Sequence, residues 1–341
     1  MKILTAVLLI CIAVLGFQPA PAGDCLYTVT SVCDSGLSVS QYPAFAEEGE
    51  ISLLIPGLKE GWVPQGITWL PAQNWFLLAG YHTDGRPSSL IAVDAESNQI
   101  VKAVRLKNLD GSYYTGHAGG VCATERDIYV SNNHRLYRLS LDTFLNLTAD
   151  SVCAFEQEIA VPNNASYCCY ADGVLWVGEF QYGTGYPTDP SHRLKLGRDT
   201  LKAWLCGYRL TDGEISAHAA GTDTAVPDVI FATTERIQGM TVYQDKIWLS
   251  QSYGRRNSSS LLGYAYPRDD PDMHVTVSGT EVPVWFLIGS RLTDNTICPP
   301  MTECICTAGD GMYVLFESAA EKYMEPDNAS RFPMDRLFRI N

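Results

Sequence analysis

Residues 237–266 read IQGMTVYQDKIWLSQSYGRRNSSSLLGYAY, and residues 64–93 read PQGITWLPAQNWFLLAGYHTDGRPSSLIAV. The two stretches say nearly the same thing. A short strand follows Gln-Gly. A second strand ends in small and polar residues. A polar loop leads to an apolar third strand. Self-similarity of this kind marks a repeat architecture, in which each unit is one supersecondary element that buries its apolar face only against its neighbours.

The template recurs in weaker form at residues 117–141 (HAGGVCATERDIYVSNNHRLYRLSL), from Asn164 (NASYCCYADGVLWVGEF, continued by WLCGYRL after an insert) and from Thr302 (TECICTAGDGMYVLFES, continued by RLFRI). Fourth strands are expected at IVKAVRL from Ile100, FEQEIAVP from Phe155, DVIFATT from Asp228 and VPVWFLIG from Val282. The last unit has none of its own, while EISLLIPGL from Glu50 has no unit. Pairing Glu50–Ile55 as the outermost strand of the last blade closes the ring without an open edge. The strands are short, β-branched and aromatic, and Gly, Asp and Asn separate them; no segment holds a 3.6-residue apolar period. The expected fold is all-β, a five-bladed β-propeller closed by an N-terminal strand. A sixth blade would have to come from residues 23–60, which are too few.

The domain plan follows. Lys2, the apolar run Ile3–Phe17 and Ala20-Pro21-Ala22 read as a secretory signal peptide over residues 1–22. The run is too short to span a bilayer, and no other segment qualifies. Residues 23–49 form an N-terminal extension, and 50–341 a single propeller domain. The expected location is outside the cytoplasm, extracellular or periplasmic, as a monomer. A net charge of −14 disfavours nucleic acid and anionic membrane surfaces as partners. Of 11 cysteines, Cys11 falls in the signal peptide. Thr68, Cys122, Cys168, Thr241 and Cys306 sit two residues into the inner strands, a ring of small side chains around the axis. Local disulfides are expected at Cys25–Cys33 and Cys298–Cys304. Cys153, Cys169 and Cys206 have no assignment. Sequons occur at Asn146, Asn164, Asn257 and Asn328.

In a propeller, the start of each inner strand and the end of each second strand share one face around the axis. Inner-strand starts supply Gln65, His117, Asn163, Gln238 and Glu303. Second-strand ends supply His82, Asn132, Glu179, Tyr253, Arg255 and Glu317. A polar, concave mouth on a rigid ring is where binding or catalysis is expected. Long inserts at 181–203 and 318–336 should overhang it. Glu179, Glu303 and His117 are the catalytic candidates: a carboxylate near the axis must be paired, hydrated or metal-bound, and His carries protons near neutral pH. Gln65, His82, Asn132, Asn163, Gln238, Tyr253, Arg255 and Glu317 are the ligand-binding candidates. No nucleophile elbow, zinc-protease helix, phosphate loop or dinucleotide fingerprint is present.

VPQGI (Val63–Ile67), GHAGGV (Gly116–Val121), LWVGEF (Leu175–Phe180) and QGM followed by SYGR and SSL (Gln238–Leu261) resemble a loose family of secreted bacterial propeller proteins. QGM, SQSYG and SSSLL (Gln238–Met240, Ser250–Gly254, Ser258–Leu262) also resemble parts of the propeller-type glutaminyl cyclases, where Ser250 and Gln251 stand in place of the family's Glu. That resemblance implies an aminoacyltransferase that moves a proton between a substrate amine and amide. A third resemblance, to calcium-dependent propeller lactonases, implies one divalent cation held by Glu179, Asn132, Asn163 and Glu303 that polarises a carbonyl. The leading expectation is a polar axial pocket that binds a small molecule, sugar or peptide end. Metal-assisted hydrolysis and glutaminyl cyclisation are the alternatives.

Overall fold

A computed structural model describes residues 26–215, 218 and 223–341. The expected signal peptide and Cys25 lie outside the described residues. The chain is all-β in a propeller-like arrangement of antiparallel sheets, and each sheet is named here by its inner strand.

The Trp62–Leu70 sheet continues through Trp75–His82, Ser89–Asp94 and Ile100–Lys107, with Ser151–Ala154 added parallel at its edge. The Gly120–Ala123 sheet continues through Asp127–Asn132, Arg135–Ser140 and Gln157–Ala160. The Tyr167–Ala171 sheet continues through Val174–Gly178, Ala203–Thr211 and Val229–Thr233. The Ile237–Tyr243 sheet continues through Lys246–Gln251, Ser259–Ala265 and Leu292–Cys298. In the Thr302–Ala308 sheet, Gly311–Phe316 and Arg336–Ile340 are followed by Gly49–Leu54. The N-terminal strand thus pairs antiparallel with the last strand of the chain, Gly49 opposite Ile340 and Ile51 opposite Phe338.

Successive inner strands pack against one another, and Thr302–Ala308 packs in turn against Trp62–Leu70. The seams are tight. A Cβ on Gly66 would stand 2.5 Å from Val121 N, and one on Gly239 2.6 Å from Cys304 Cα. The Gly of each echoed Gln-Gly is therefore there for close approach between sheets. Apolar clusters fill the space between the sheets. The largest joins Trp62, Ile67, Phe76, Phe316 and Phe338 to Tyr27 and Phe45 of the N-terminal extension.

Two expectations need correction. Val282–Gly289 does not supply the fourth strand of the Ile237–Tyr243 sheet. Thr280–Phe286 forms a hairpin with Met273–Val277 and runs parallel to Val229–Thr233, extending the neighbouring sheet. The true edge is Leu292–Cys298, whose sequence LTDNTIC alternates buried and exposed positions and so carries little apolar signal. The second correction concerns Cys298–Cys304. Both thiols are free and buried. Cys298 closes a ladder opposite Ser259, whereas the Cys304 thiol turns to the Ile67 carbonyl of the next sheet, 3.7 Å away. Cys33 is also a free thiol, directed at Pro333 O. Cys122, Cys153, Cys168, Cys169, Cys206 and Cys306 are buried and free.

Candidate functional site

Three inner strands begin with the same irregularity. The ladder slips at Pro64/Gly66, at Ile237/Gly239 and at Thr302/Ile305. Each slip is a β-bulge, which re-aims the side chain it contains. The bulged residues are Gln65, Gln238 and Glu303, and they converge. Gln238 Nε2 donates to Glu303 Oε1 (3.0 Å), and Gln65 Nε2 donates to Glu317 Oε2 (2.9 Å). Glu303 and Glu317, at the start of one strand and the end of its partner, stand close enough for each to shift the other's proton affinity. Each glutamine reaches across a seam from a flanking sheet, so the carboxyl pair is held from both sides.

The pair is almost out of water, with Glu303 3% and Glu317 8% exposed. Desolvation pushes Glu303 well above the usual carboxyl range, and the Glu317 charge adds to it. Desolvation also raises Glu317, against hydrogen bonds from Tyr323 and Glu303 and the Lys322 charge. Burial and the neighbouring carboxyl both disfavour the ionised form of Glu303, so the pair resists losing its protons.

Above the pair lies the 318–336 insert. Tyr323 stands beside Glu317, and Lys322 Nζ donates to Tyr81 OH (2.7 Å) while lying 4.9 Å from the Tyr323 ring centroid. Tyr81 stacks on His117 at 4.4 Å. The His117 ring is reached by solvent but walled by protein, and desolvation, then Lys322, lowers its pKa to about 4. His117, with lowered proton affinity, and the carboxyl pair, with raised proton affinity, therefore stand on the same mouth. The Arg255 guanidinium covers Tyr323 at 4.8 Å and donates to Asn328 O (2.7 Å), pinning the insert.

Glu179 belongs to a separate nest. His192 Nδ1 and Trp204 N both donate to its Oε1 at 2.9 Å, and Asn164 N donates to Oε2 at 3.2 Å. His192 stacks on Trp204 at 3.9 Å, which docks the 181–203 insert. Asn163 lies in the same nest, with its Nδ2 on the carbonyls of Val177 and Trp204. Asn132 ends its strand beside the buried Tyr114 hydroxyl. His82 is buried under the N-terminal extension, with Nε2 2.8 Å from Tyr27 OH. Tyr253 joins Phe180, Tyr182 and Tyr186 in an aromatic cluster.

Of the expected residues, then, Gln65, Gln238, Glu303 and Glu317 come together, with His117 and Arg255 on their rim. Glu179, Asn163, Asn132 and His82 lie elsewhere. Among the described residues, no group of three or more His, Cys, Asp or Glu side chains is placed to hold a metal ion. Sequence reasoning missed Tyr81, Lys322, Tyr323 and His192. Tyr81 was within reach: it precedes His82, and neighbours on a strand face opposite sides. A cleft of about 580 Å³ beside the mouth shares Lys322 with it, and another of about 640 Å³ is lined by Glu156–Ile159, His218 and Asp223; neither includes Glu303 or Glu317.

No family model matches the chain, and no curated protein does either. Solved structures of propeller type are similar in shape. Glutaminyl cyclase of Myxococcus xanthus is 13% identical, covers 86% of this chain and 94% of its own, and gives a TM-score of 0.45. A GH43_1 enzyme from Xanthomonas citri is 10% identical over 88% of this chain and 92% of its own, with a TM-score of 0.43. A putative oxidoreductase (glucose dehydrogenase) from Thermus thermophilus is 11% identical over 86% and 99%, with a TM-score of 0.41. At these values nothing about activity passes from them to this chain.

Proposed function

We propose that this chain is a secreted five-bladed propeller whose axial mouth binds a small polar ligand over the Glu303–Glu317 pair. Five inner strands that neighbour one another in ring order support the blade count. One observation carries the functional reading: two buried glutamates stand side by side, each held by a bulged glutamine from a flanking sheet. A propeller axis has no structural need of such a pair, and burying like charges side by side costs stability. Groups kept at that cost, with shifted proton affinity and set on a mouth, belong to function. The insert that covers them, carrying Lys322 and Tyr323, is then a lid. A ligand with a neutral donor or an ammonium group satisfies the carboxyls when the lid lifts.

The same pair supports a second reading, as a proton relay of the glutaminyl-cyclase kind. A carboxyl pair that holds one proton can accept from an amine and return a proton to a departing amide nitrogen. Direct glycoside hydrolysis by this pair is not favoured, because that chemistry needs carboxyls ~5–9.5 Å apart.

The test is a thermal-shift screen of amines, N-terminal glutamine peptides and neutral sugars against wild type and Glu317→Gln. A ligand that raises the melting temperature of wild type and not of the variant supports the reading. Ligands that stabilise both equally would place the site elsewhere. Release of ammonia from a glutamine peptide would move the relay to the front.

A further inference from the structure

The aromatic cluster at the rim is not used by the carboxyl pair. Phe180 follows the second strand of one sheet and Tyr253 that of the next, so both lie on the mouth face. Residues 182 and 186 bond backbone to backbone across a tight turn, Tyr182 N to Tyr186 O at 3.0 Å and the reverse at 3.1 Å. The turn brings their rings around Tyr253. Tyr182 lies 4.0 Å from it at 32°, Tyr186 6.4 Å at 73°, and Phe180 6.2 Å at 34°. Phe180 is buried, but Tyr186 remains 52% exposed and Tyr182 and Tyr253 are half-buried. Large aromatic faces left in water at the edge of a concave mouth are uncommon unless something covers them.

Polar groups suited to a hydroxyl-rich ligand stand among these rings. The Arg236 guanidinium lies 5.9 Å from the Tyr182 ring centroid, its backbone held by Gln181 O. Gln181 is 2% exposed and its Oε1 has no hydrogen-bond partner, while its Nε2 is bonded within the same turn to Gly183 O. A buried acceptor without a donor is costly and calls for one. The cluster also continues into the mouth, because Tyr253 is two residues from Arg255, which covers Tyr323 above Glu317.

We infer that Tyr182, Tyr186 and Tyr253, backed by the buried Phe180, form a stacking platform for a neutral oligosaccharide whose end unit enters the axial mouth. The inference rests on the reading of that mouth as a ligand site and names its ligand class. The C–H face of a pyranose is apolar and stacks on tyrosine, while its hydroxyls serve the Arg236 donors and the Gln181 acceptor. The chain's charge of −14 disfavours anionic glycans.

The experiment titrates wild type, Tyr186→Ala and Glu317→Gln with cellotetraose, xylotetraose, mannotetraose and chitotetraose, by calorimetry. Tyr186 is exposed, so its removal leaves the fold intact, which a melting curve verifies. At least one tetrasaccharide should bind wild type. Tyr186→Ala should weaken it by roughly three- to tenfold, the worth of one aromatic contact, and Tyr186→Phe should not. Binding lost in Glu317→Gln but unchanged in Tyr186→Ala would overturn the platform and leave the mouth standing. Binding lost only in Tyr186→Ala would keep the platform and refute its link to the mouth. If none of the four binds wild type, the oligosaccharide assignment is overturned.

Discussion

Glu303 and Glu317 both hold their proton to higher pH in the folded chain than a free carboxyl does, for which the reference is 4.5. A folded state that binds more protons than the unfolded state loses stability as pH rises. Their contribution is therefore complete below about 4.5 and is lost as pH climbs through the raised folded values. Glu303→Gln keeps the hydrogen-bonding shape and removes the charge. It should be more stable than wild type at pH 8 and similar to it at pH 4, because the folded chain no longer has to ionise a buried carboxyl as pH rises. Urea melts at the two pH values test this; a variant that follows the wild-type slope would mean that no proton is shared. Part of this site was legible in the sequence. The echoed Gln-Gly pairs and the Glu before Cys304 fall at equal places in their units, and those three residues are the ones that converge. His82 was misplaced because a strand-end pair offers two side chains on opposite faces. Tyr81 turns to the mouth, and His82 turns under Tyr27.

At the scale of elements, the bulges and the inserts divide the work. Gly66→Ala places a methyl 2.5 Å from a backbone nitrogen of the next sheet, and no side chain is there to yield. The seam must open, at a cost of about 1–3 kcal/mol or more. A melt unchanged by Gly66→Ala would show that the inner strands are not in such close contact. The 181–203 insert depends on a different bond. His192→Ala removes a donor to the buried Glu179 carboxylate and should cost about 1.5–3 kcal/mol. It should also expose Arg193, Lys195, Arg198 and Lys202 to trypsin faster than in wild type. Equal cleavage rates would show that His192 is not the clasp. Neither insert was readable in detail. Tyr, Pro and Gly mark a loop, but which ring docks where depends on residues far apart in the chain. The hairpin 273–286 was misassigned for a related reason. Its apolar alternation fits any open sheet edge, and the polar strand 292–298 that takes the expected place carries almost no pattern.

For the whole molecule, the N-terminal extension ties the start of the chain to its end. The Phe45 side chain is fully buried and stacks on Phe338 at 4.0 Å, next to the pairing of Gly49–Leu54 with Arg336–Ile340. Asp335, wholly buried, accepts from Ser31 Oγ, Val32 N, Cys33 N and Ser35 Oγ. Desolvation works against its ionisation, yet these bonds together hold its pKa below the usual value. First and last segments are thus fastened by a ring stack, a strand pair and a carboxylate nest. Phe45→Ala should cost about 3–5 kcal/mol and lower the unfolding midpoint as one transition. A separate early transition, with the rest of the chain still folded, would show that the N-terminal extension does not support the remaining sheets. The pairing of the first strand with the last was foreseeable because a strand without a unit stood at one end and a unit short of a strand at the other. The nest was not, because Asp335 lies among residues with no repeat and its partners are 300 positions away.

The central claim is that one proton is shared between Glu303 and Glu317 at neutral pH in a mouth that takes a ligand. The direct measurement is a carbon-13 NMR titration of glutamate side-chain carboxyls, with Glu303→Gln and Glu317→Gln for assignment and the tightest-binding compound of the thermal-shift screen added at pH 7. The account predicts that the two carboxyls titrate as a coupled pair, the later step well above 4.5, and that both signals move when the ligand is added. Two independent titrations near 4.5, or signals that ignore a bound ligand, would contradict it.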